Sequence, residues 1–366
     1  MALIIASNSK FYADRAKYPF CQQPVVSYGS NLKMAAHISD INNLEIHNFN
    51  GSDWLIDKTY TDTAMDNYSL CRSELNDVFL TYKLNATSPY TIKVKKRDHT
   101  SGLWTEVYSV SAENATYSTV QWMTPMITYN RLINRLHLFW FEMPYVNPTT
   151  IGPYRLKNIF SDDKGATWSA INIYNMPSGG SGWIEARSWT TLFSLDSSPT
   201  DGSLYLSMAY GVYVGIAYSW YYIWKFTSSG IYSTDYYAPG GGADLHNALI
   251  AVDSAGNIYD FNYSDSGATD TALCRKNGVS IVIGLSTVKG AYYHQSFALG
   301  IDNTDSLYVF YTKTSDGIAY WKMYNPSTST WSTELPFTSG MGKRVGCELH
   351  AYPASTKLNI VYYTSA

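Results

Sequence analysis

The octet SDDKGATW, residues 161–168, compresses an acid, a glycine, a small hydroxyl and an indole into one short stretch. Each residue type has a use in a tight corner. Asp163 can accept backbone N–H bonds across a turn, Gly165 supplies a positive φ, and Trp168 offers a large apolar plate to a neighbouring sheet. The octet therefore reads as a structural corner with a short strand on either side, and not as a catalytic signature.

Working outward, tryptophan opens a short strand after a turn at four places: GSDWLID (Trp54), SGLWTEV (Trp104), GATWSAI (Trp168) and TSTWSTE (Trp331). The first three are spaced by roughly 50 to 65 residues, a blade-like period. The gap before the fourth leaves room for two units whose tryptophan is replaced, near Ile231 and Val279. Each unit divides into four runs. The first gives PVVSYG, LKMAAHIS, LEIHNFN and WLIDKTYT; the sixth gives SFALGID, LYVFYTKT, IAYWKMYN and WSTELPF. Runs of this length between Gly, Asn, Asp and Ser clusters are hairpin-connected antiparallel strands, and four of them repeating make a propeller blade.

The expected fold is all-β: one seven-bladed β-propeller of four-stranded antiparallel blades, spanning residues 1–366. Blades are expected at 22–61, 69–110, 123–175, 188–238, 246–287 and 294–338. The seventh combines 345–366 (CELHAY and KLNIVYY) with 1–16 (ALIIAS and FYADRA), because two C-terminal strands alone would leave an unpaired edge. This predicts residues 2–6 alongside residues 357–363. Six blades is the alternative, should blade five, with its weak third run TALCRKNG, be irregular.

Composition agrees with an all-β chain. Tyrosine occurs 33 times and aromatics reach 16%, as suits pleated, half-buried surfaces. A net charge of -3 with 15% charged residues excludes a nucleic-acid footprint. The basic run KVKKRD (Lys93 to Asp98) reads as a solvated strand face. Cys21, Cys71, Cys274 and Cys347 lie far apart without a CxxC, which points to buried free thiols and not to a zinc or redox motif. Asn-X-Ser/Thr triplets at Asn67, Asn85, Asn114 and Asn262 read as turn chemistry, not glycan acceptors. The short apolar run of residues 2–6 lacks the basic flank of a secretory signal, and no segment approaches a membrane span.

The octet resembles the Asp-box, Ser-x-Asp-x-Gly-x-Thr-Trp, of the sialidase (BNR) superfamily; Ser161, Asp163, Gly165, Thr167 and Trp168 occupy its five defining positions. RDHTSGLW and NPSTSTW keep the tryptophan and little else. The resemblance implies a β-propeller whose Asp-box lies at the periphery, away from the ligand face. It also implies what an active member would need: an arginine triad, a Tyr–Glu nucleophile pair, an aspartic acid/base and an Arg-Ile-Pro-type motif opening the first blade. Here that opening reads FCQQPVV, with no arginine. Glu185 and Arg187 are close in sequence, while Arg72, Arg275 and Arg344 lie near other blade junctions. A triad of Arg187, Arg275 and Arg344 would depend on loop geometry alone, and no catalytic residues are assigned.

Loops joining strands two and three, and those joining successive blades, share one face of a propeller, and long loops there mark use. The longest are PYVNPTTIGPY, MPSGGSGWIEARSW, GVYVGIAYSW and YYAPGGGADLH, around blades three and four. They nominate Tyr145, Trp183, Glu185, Arg187, Trp220, Tyr237 and His246 as ligand-binding residues, with Tyr154 and Tyr213 beside them. Aromatic rings near a few hydrogen-bonding groups suit pyranoses, which present C–H faces and hydroxyls. His246, His294 and His350 fall near first strands around the channel but lack ligand spacing, so no metal and no cofactor is expected.

The functional expectation is a non-enzymatic, sialidase-like propeller that binds glycans or a cell-surface receptor. The low charge and abundance of Tyr, Ser, Thr and Asn suit work outside a cell, and no export signal is visible. A phage or virus surface protein, assembled in cytoplasm and carried on the virion, reconciles the two. Partners then include a glycan or receptor, other virion subunits and further copies in a homo-oligomer, but no nucleic acid and no membrane insertion. The alternatives are a sialidase-type glycoside hydrolase and a purely structural docking propeller.

Overall fold

The structure, a computed structural model, describes residues 4–5, 24–28, 32–40, 42–50, 52–62, 65–84, 90–111, 125–142, 145–147, 150–151, 155–175, 193–213, 217–227, 232–237, 244–266, 269–285, 292–313, 315–347, 349–351 and 358–364. Among these, every regular element is a β-strand. The Gly/Asn/Asp/Ser clusters close hairpins, and the runs between them pair in sequence order. Blade one comprises Val25–Ser27, Lys33–Asp40, Asn43–Phe49 and Trp54–Thr61; blade two Met65–Arg72, Val78–Leu84, Thr91–Arg97 and Trp104–Ser111. Blade three comprises Met126–Asn130, Arg135–Glu142, Arg155–Ser161 and Asn172–Asn175; blade four Phe193–Ser197, Leu204–Tyr213, Ala217–Phe226 and Tyr232–Tyr237. Blade five comprises Asp244–Val252, Ile258–Ser266, Thr269–Lys276 and Val279–Ser280. Blade six begins Tyr292–Ile301, Leu307–Lys313 and Ile318–Asn325, with Thr330–Trp331 at its margin.

Among the described residues the ring has six blades, the alternative count. The C-terminal strands do not form a separate seventh sheet. The 13-residue strand Leu335–Cys347 runs on through Gly340, Gly342 and Gly346 without ending. It first pairs with blade six, Trp321 opposite Leu335 and Ile318 opposite Met341, and then continues through 342–347 against Asn359–Thr364. The N-terminal latch is present, in parallel register: Ile4 opposite Asn359 and Ile5 opposite Ile360. These strands extend the sixth sheet to seven and fill the gap between the first strands of blades six and one. The third run of blade five, expected to be weak, is a regular eight-residue strand, and it is the fourth, Val279–Ser280, that is short.

The core lies between the blades. Second strands are covered on both faces, so Val78–Leu84 and Leu307–Lys313 are buried along nearly their whole length. Fourth strands such as Trp54–Thr61 alternate between half-buried and exposed. Met34, Ile46, Leu70 and Leu80 join blades one and two; Phe79, Val94, Leu138 and Trp140 join two and three; Phe261, Phe297 and Tyr311 join five and six. Each fully buried large side chain contributes roughly 1.5–3 kcal/mol relative to exposure.

The basic strand Thr91–Arg97 is not a solvated face. Arg97 meets Asp57 of blade one at 3.2 Å, and Lys93 meets Asp62 at 3.1 Å. Trp104 Nε1 donates to the same Asp57 at 2.6 Å. Lys93 and Arg97 are thus spent on the neighbouring blade, while Lys95 and Lys96 pair with Glu106 and Asp77 of their own blade. Cys71, Cys274 and Cys347 are buried free thiols, and Cys21 lies outside the described residues. Asn67 and Asn262 are each 3% exposed, out of reach of glycan attachment. No helix among the described residues is long and apolar enough to cross a membrane.

Candidate functional site

The octet occupies the turn between the third and fourth strands of blade three. Asp163 Oδ1 accepts from Ser161 Oγ at 2.7 Å and from Thr167 N at 2.8 Å, and Oδ2 accepts from Thr167 Oγ1 at 2.6 Å. Ser161 Oγ in turn accepts from Gly165 N at 2.7 Å. These Thr167 and Ser161 bonds hold the Asp163 carboxyl down at about 2. Gly165 has φ +91°, and a Cβ there would meet Val107 Cγ2 of blade two at 3.1 Å. Trp168 Nε1 donates to Val107 O at 3.0 Å, and its ring sits 5.0 Å from Tyr108. The corner thus fastens blade three to blade two. Blade six keeps a remnant: Ser332 brackets Met323 through N to O and N to Oγ bonds, as Ser169 brackets Phe160.

The meander order fixes two faces. Turns between strands one and two, and between three and four, lie on the lower face, the octet among them. Loops between strands two and three, and between blades, lie on the upper face. Tyr145 stands on the upper side in an extra ribbon, Tyr145–Asn147 with Thr150–Ile151, inserted after strand two of blade three. Trp220 lies opposite Tyr210 near the upper end of blade four, and Tyr237 ends that blade's fourth strand opposite Tyr221. His246 is the bulged residue of the first strand of blade five, unpaired between Leu245 opposite Ser264 and Asn247 opposite Tyr263. The backbone therefore brings these four to one face. Their side chains, and Trp183, Glu185 and Arg187 entirely, lie outside the described residues, as do Tyr154 and the side chains of Tyr213, His294 and Arg344.

Similar register shifts occur at the upper ends of other first strands, between Asp66 and Tyr68 in blade two and between Tyr292 and Phe297 in blade six. Bulges re-aim side chains next to sites. Asn67, at the first of these shifts, has φ 43°, is 3% exposed, and has a buried Oδ1 without a partner. Sequence reading missed it; the signal lay in Asp66-Asn67, a pair tolerant of left-handed backbone, inside an otherwise strand-like run.

Of the arginines near blade junctions, the two with described side chains lie apart. Arg275 is held by Asp260 through Nε at 2.8 Å and Nη2 at 2.6 Å, within the sheet of blade five. Arg72 ends the first strand of blade two and lines the lower mouth of the central channel. Beneath the ribbon, buried Glu142 pairs with Lys157 at 2.6 Å and accepts from Trp140 Nε1 at 3.0 Å, a structural pair enclosed in blade three.

The lower mouth encloses a cavity of about 330 Å³, lined by the first strands of all six blades and by residues 350–351. His350 reaches across it to Asp196 of blade four, 2.9 Å from Oδ2. Among the described residues, the one group of His, Cys, Asp and Glu whose ligand atoms converge tightly enough for a metal is Asp77, Asp98 and His99. Its Asp77 is already engaged by Lys96 at 3.2 Å and by His99 at 3.0 Å.

No protein-family model matches the chain, and no curated protein is significantly similar to it. Solved structures are. The Hadza microbial sialidase Hz136 superposes with TM-score 0.52 at 11% identity, over 88% of this chain and 71% of that one. A protein of unknown function from Dyadobacter fermentans DSM 18053 gives TM-score 0.51 at 10% identity, over 78% and 86%. The chain has a sialidase-like β-propeller fold, and likeness at this identity carries the fold alone.

Proposed function

We propose that this chain is a binding propeller that takes glycans, or a glycosylated surface receptor, on its upper face without cleaving them. The observation that carries this reading is the position of Arg275 and Arg72, the two junction arginines whose side chains are described. A sialidase-type site needs guanidiniums converging at one mouth, whereas Arg275 is consumed by Asp260 and Arg72 opens on the opposite mouth. The aromatic density of blade four supports carbohydrate as the ligand, with Tyr210 opposite Trp220 and Tyr221 opposite Tyr237 towards its upper end. With Tyr145, Trp183, Glu185, Arg187 and His246 these would form stacking plates and a few polar contacts. Together with low charge and Tyr/Ser/Thr/Asn richness, this suits an attachment or surface component of a phage or virus particle, where many weak sites act together.

A docking ring is the second reading, and one observation favours it. Leu32, Leu75 and Leu132, exposed by 39%, 53% and 48%, tip the lower-face turns of three successive blades, where polar turn residues are usual. A glycan array probed with the purified protein, beside a fluorogenic sialoside, separates the readings. Glycan-selective binding without release of fluorophore is expected. Fluorophore release would restore the hydrolase, and silence on both would leave the docking ring.

A further inference from the structure

Blade five lacks most of an outer strand. Val279–Ser280 pairs only with Lys276 and Arg275, and one further bond runs from Ile281 N to Cys274 O at 2.8 Å. The chain then leaves for blade six, where Ile283 is buried and its carbonyl accepts from Lys322 Nζ. The third strand, Thr269–Lys276, runs on above that point to its hairpin with the second strand. Its outer edge from Thr269 to Leu273 has no partner strand among the described residues.

Along a strand each residue turns its N–H and C=O to the same side, and successive residues alternate. Because Cys274 O points outward to Ile281, the groups of Ala272 and Asp270 point outward too. Four main-chain donors and acceptors are therefore presented in a row. The usual guards of an edge are missing from the run itself, which holds no lysine, no proline and no register shift. The outer strands of blades one and two, by contrast, carry bulges at Asp57 and Val107. Val279 and Val282, exposed by 69% and 83%, stand at the lower limit of the gap.

We propose that this edge pairs with the same edge of a second copy, antiparallel and about a two-fold axis at Thr271. The row of main-chain groups selects a strand as the occupant, and the length of the gap selects this one. Ile281 fills the place beside Cys274, so an incoming strand has residues 269 to 273 to pair with. The same run of a second copy matches it in length and ends in its own hairpin loop, whose residues, Gly267 and Ala268, are small. The two-fold sets Asp270 opposite Ala272 and Thr269 opposite Leu273, so the one acid of the run never faces its like. Asp270 and Ala272 then exchange main-chain hydrogen bonds with their counterparts. Such an isologous contact closes on itself. It uses neither the upper-face glycan surface nor the lower-face turns, so it stands or falls apart from the proposed function.

Sedimentation equilibrium of the full chain tests the pairing. A reversible dimer is expected between about 1 μM and 1 mM. Ala272→Pro deletes an outward N–H and leaves the bonds to the second strand in place, so it should give a monomer throughout that range. Thr271 faces its own copy in a non-hydrogen-bonded pair, with Cα atoms about 4.5 Å apart, a distance that a disulfide spans. Under mild oxidation Thr271→Cys should therefore link two chains in roughly tenfold excess over Ala272→Cys, which lies diagonal to its own copy. A wild-type monomer at about 1 mM overturns the proposal. So does a dimer that Ala272→Pro leaves intact, and so does equal linking of the two cysteine variants.

Discussion

His350 Nε2 lies 3.0 Å from Asp196 Oδ1 and 2.9 Å from Oδ2, joining residues 154 positions apart at the channel mouth. Asp196 also accepts from Val252 N at 2.6 Å and Ser197 N at 2.7 Å, so one carboxylate ties together blades four and five and the C-terminal segment. That segment is bonded to blade six through Ile301 and residues 349 and 351. His350→Ala should cost about 1–2 kcal/mol, read as a lower urea midpoint. It should also speed proteolysis near the C-terminus before global unfolding. Unchanged midpoint and cleavage would show that the contact does not help close the ring.

At the Asp-box corner, Gly165→Ala should destabilise by about 1–3 kcal/mol, through a strained φ and the new contact with Val107. Glycan binding should be untouched, because the corner is on the lower face. Asp163, depressed by its Thr167 and Ser161 bonds, adds stability that is complete above the ordinary carboxylate range and lost as pH falls through about 2. Asp163→Asn should therefore flatten the acid limb of the melting curve; an unaltered limb would mean that the bonds carry no net stability.

His137 of blade three is 7% exposed, stacked near Phe139 and Phe160, and neither ring nitrogen has a partner. Burial, helped by the Arg135 charge, lowers its pKa from 6.5 to about 3. The unfolded chain therefore takes up a proton as pH drops below 6.5, and the folded chain does not until about 3. Stability falls through that window. His137→Phe should remove this loss and gain about 2–3 kcal/mol over the native chain at pH 4.5, measured by urea titration there and at pH 7. An equal difference at both pH values would show that the imidazole is already protonated in the fold.

The sequence made the corner legible because its contacts are local. Asp163, Gly165 and Thr167 act within four residues, and the turn geometry follows from their chemistry. The blade rhythm was legible for the same reason, as turn residues bound each run. Blade number was not, since Leu335–Cys347 serves two sheets in one unbroken strand, and only long-range pairing shows where it changes partner. The charges of KVKKRD alternate like a solvent face, but Asp57 and Asp62, which claim Arg97 and Lys93, stand in another repeat. Arg275 likewise reads as a free guanidinium until Asp260 is found beside it. At the candidate site, the backbone positions of Tyr145, Trp220, Tyr237 and His246 follow from loop length, whereas Asn67 depended on a bulge no periodicity announces.

Asn67→Gly separates shape from function at that bulge. Glycine accepts the φ of 43° without penalty, so the melting temperature should hold or rise, since an unpartnered buried carbonyl is removed. Glycan affinity should stay unchanged, because a side chain 3% exposed does not reach a ligand; a drop of about tenfold would place the bulge at the site. Retained affinity with raised stability would assign the strain to folding alone.

The central claim, recognition of carbohydrate without hydrolysis, is tested most directly by proton NMR of an array-selected glycan mixed with the chain for a day. Saturation transfer to the pyranose ring C–H protons is expected, as stacking on tyrosine and tryptophan faces requires, with the anomeric signals of the intact glycan unchanged. Reducing-end signals of a released monosaccharide, or no transfer at any glycan concentration, would contradict it.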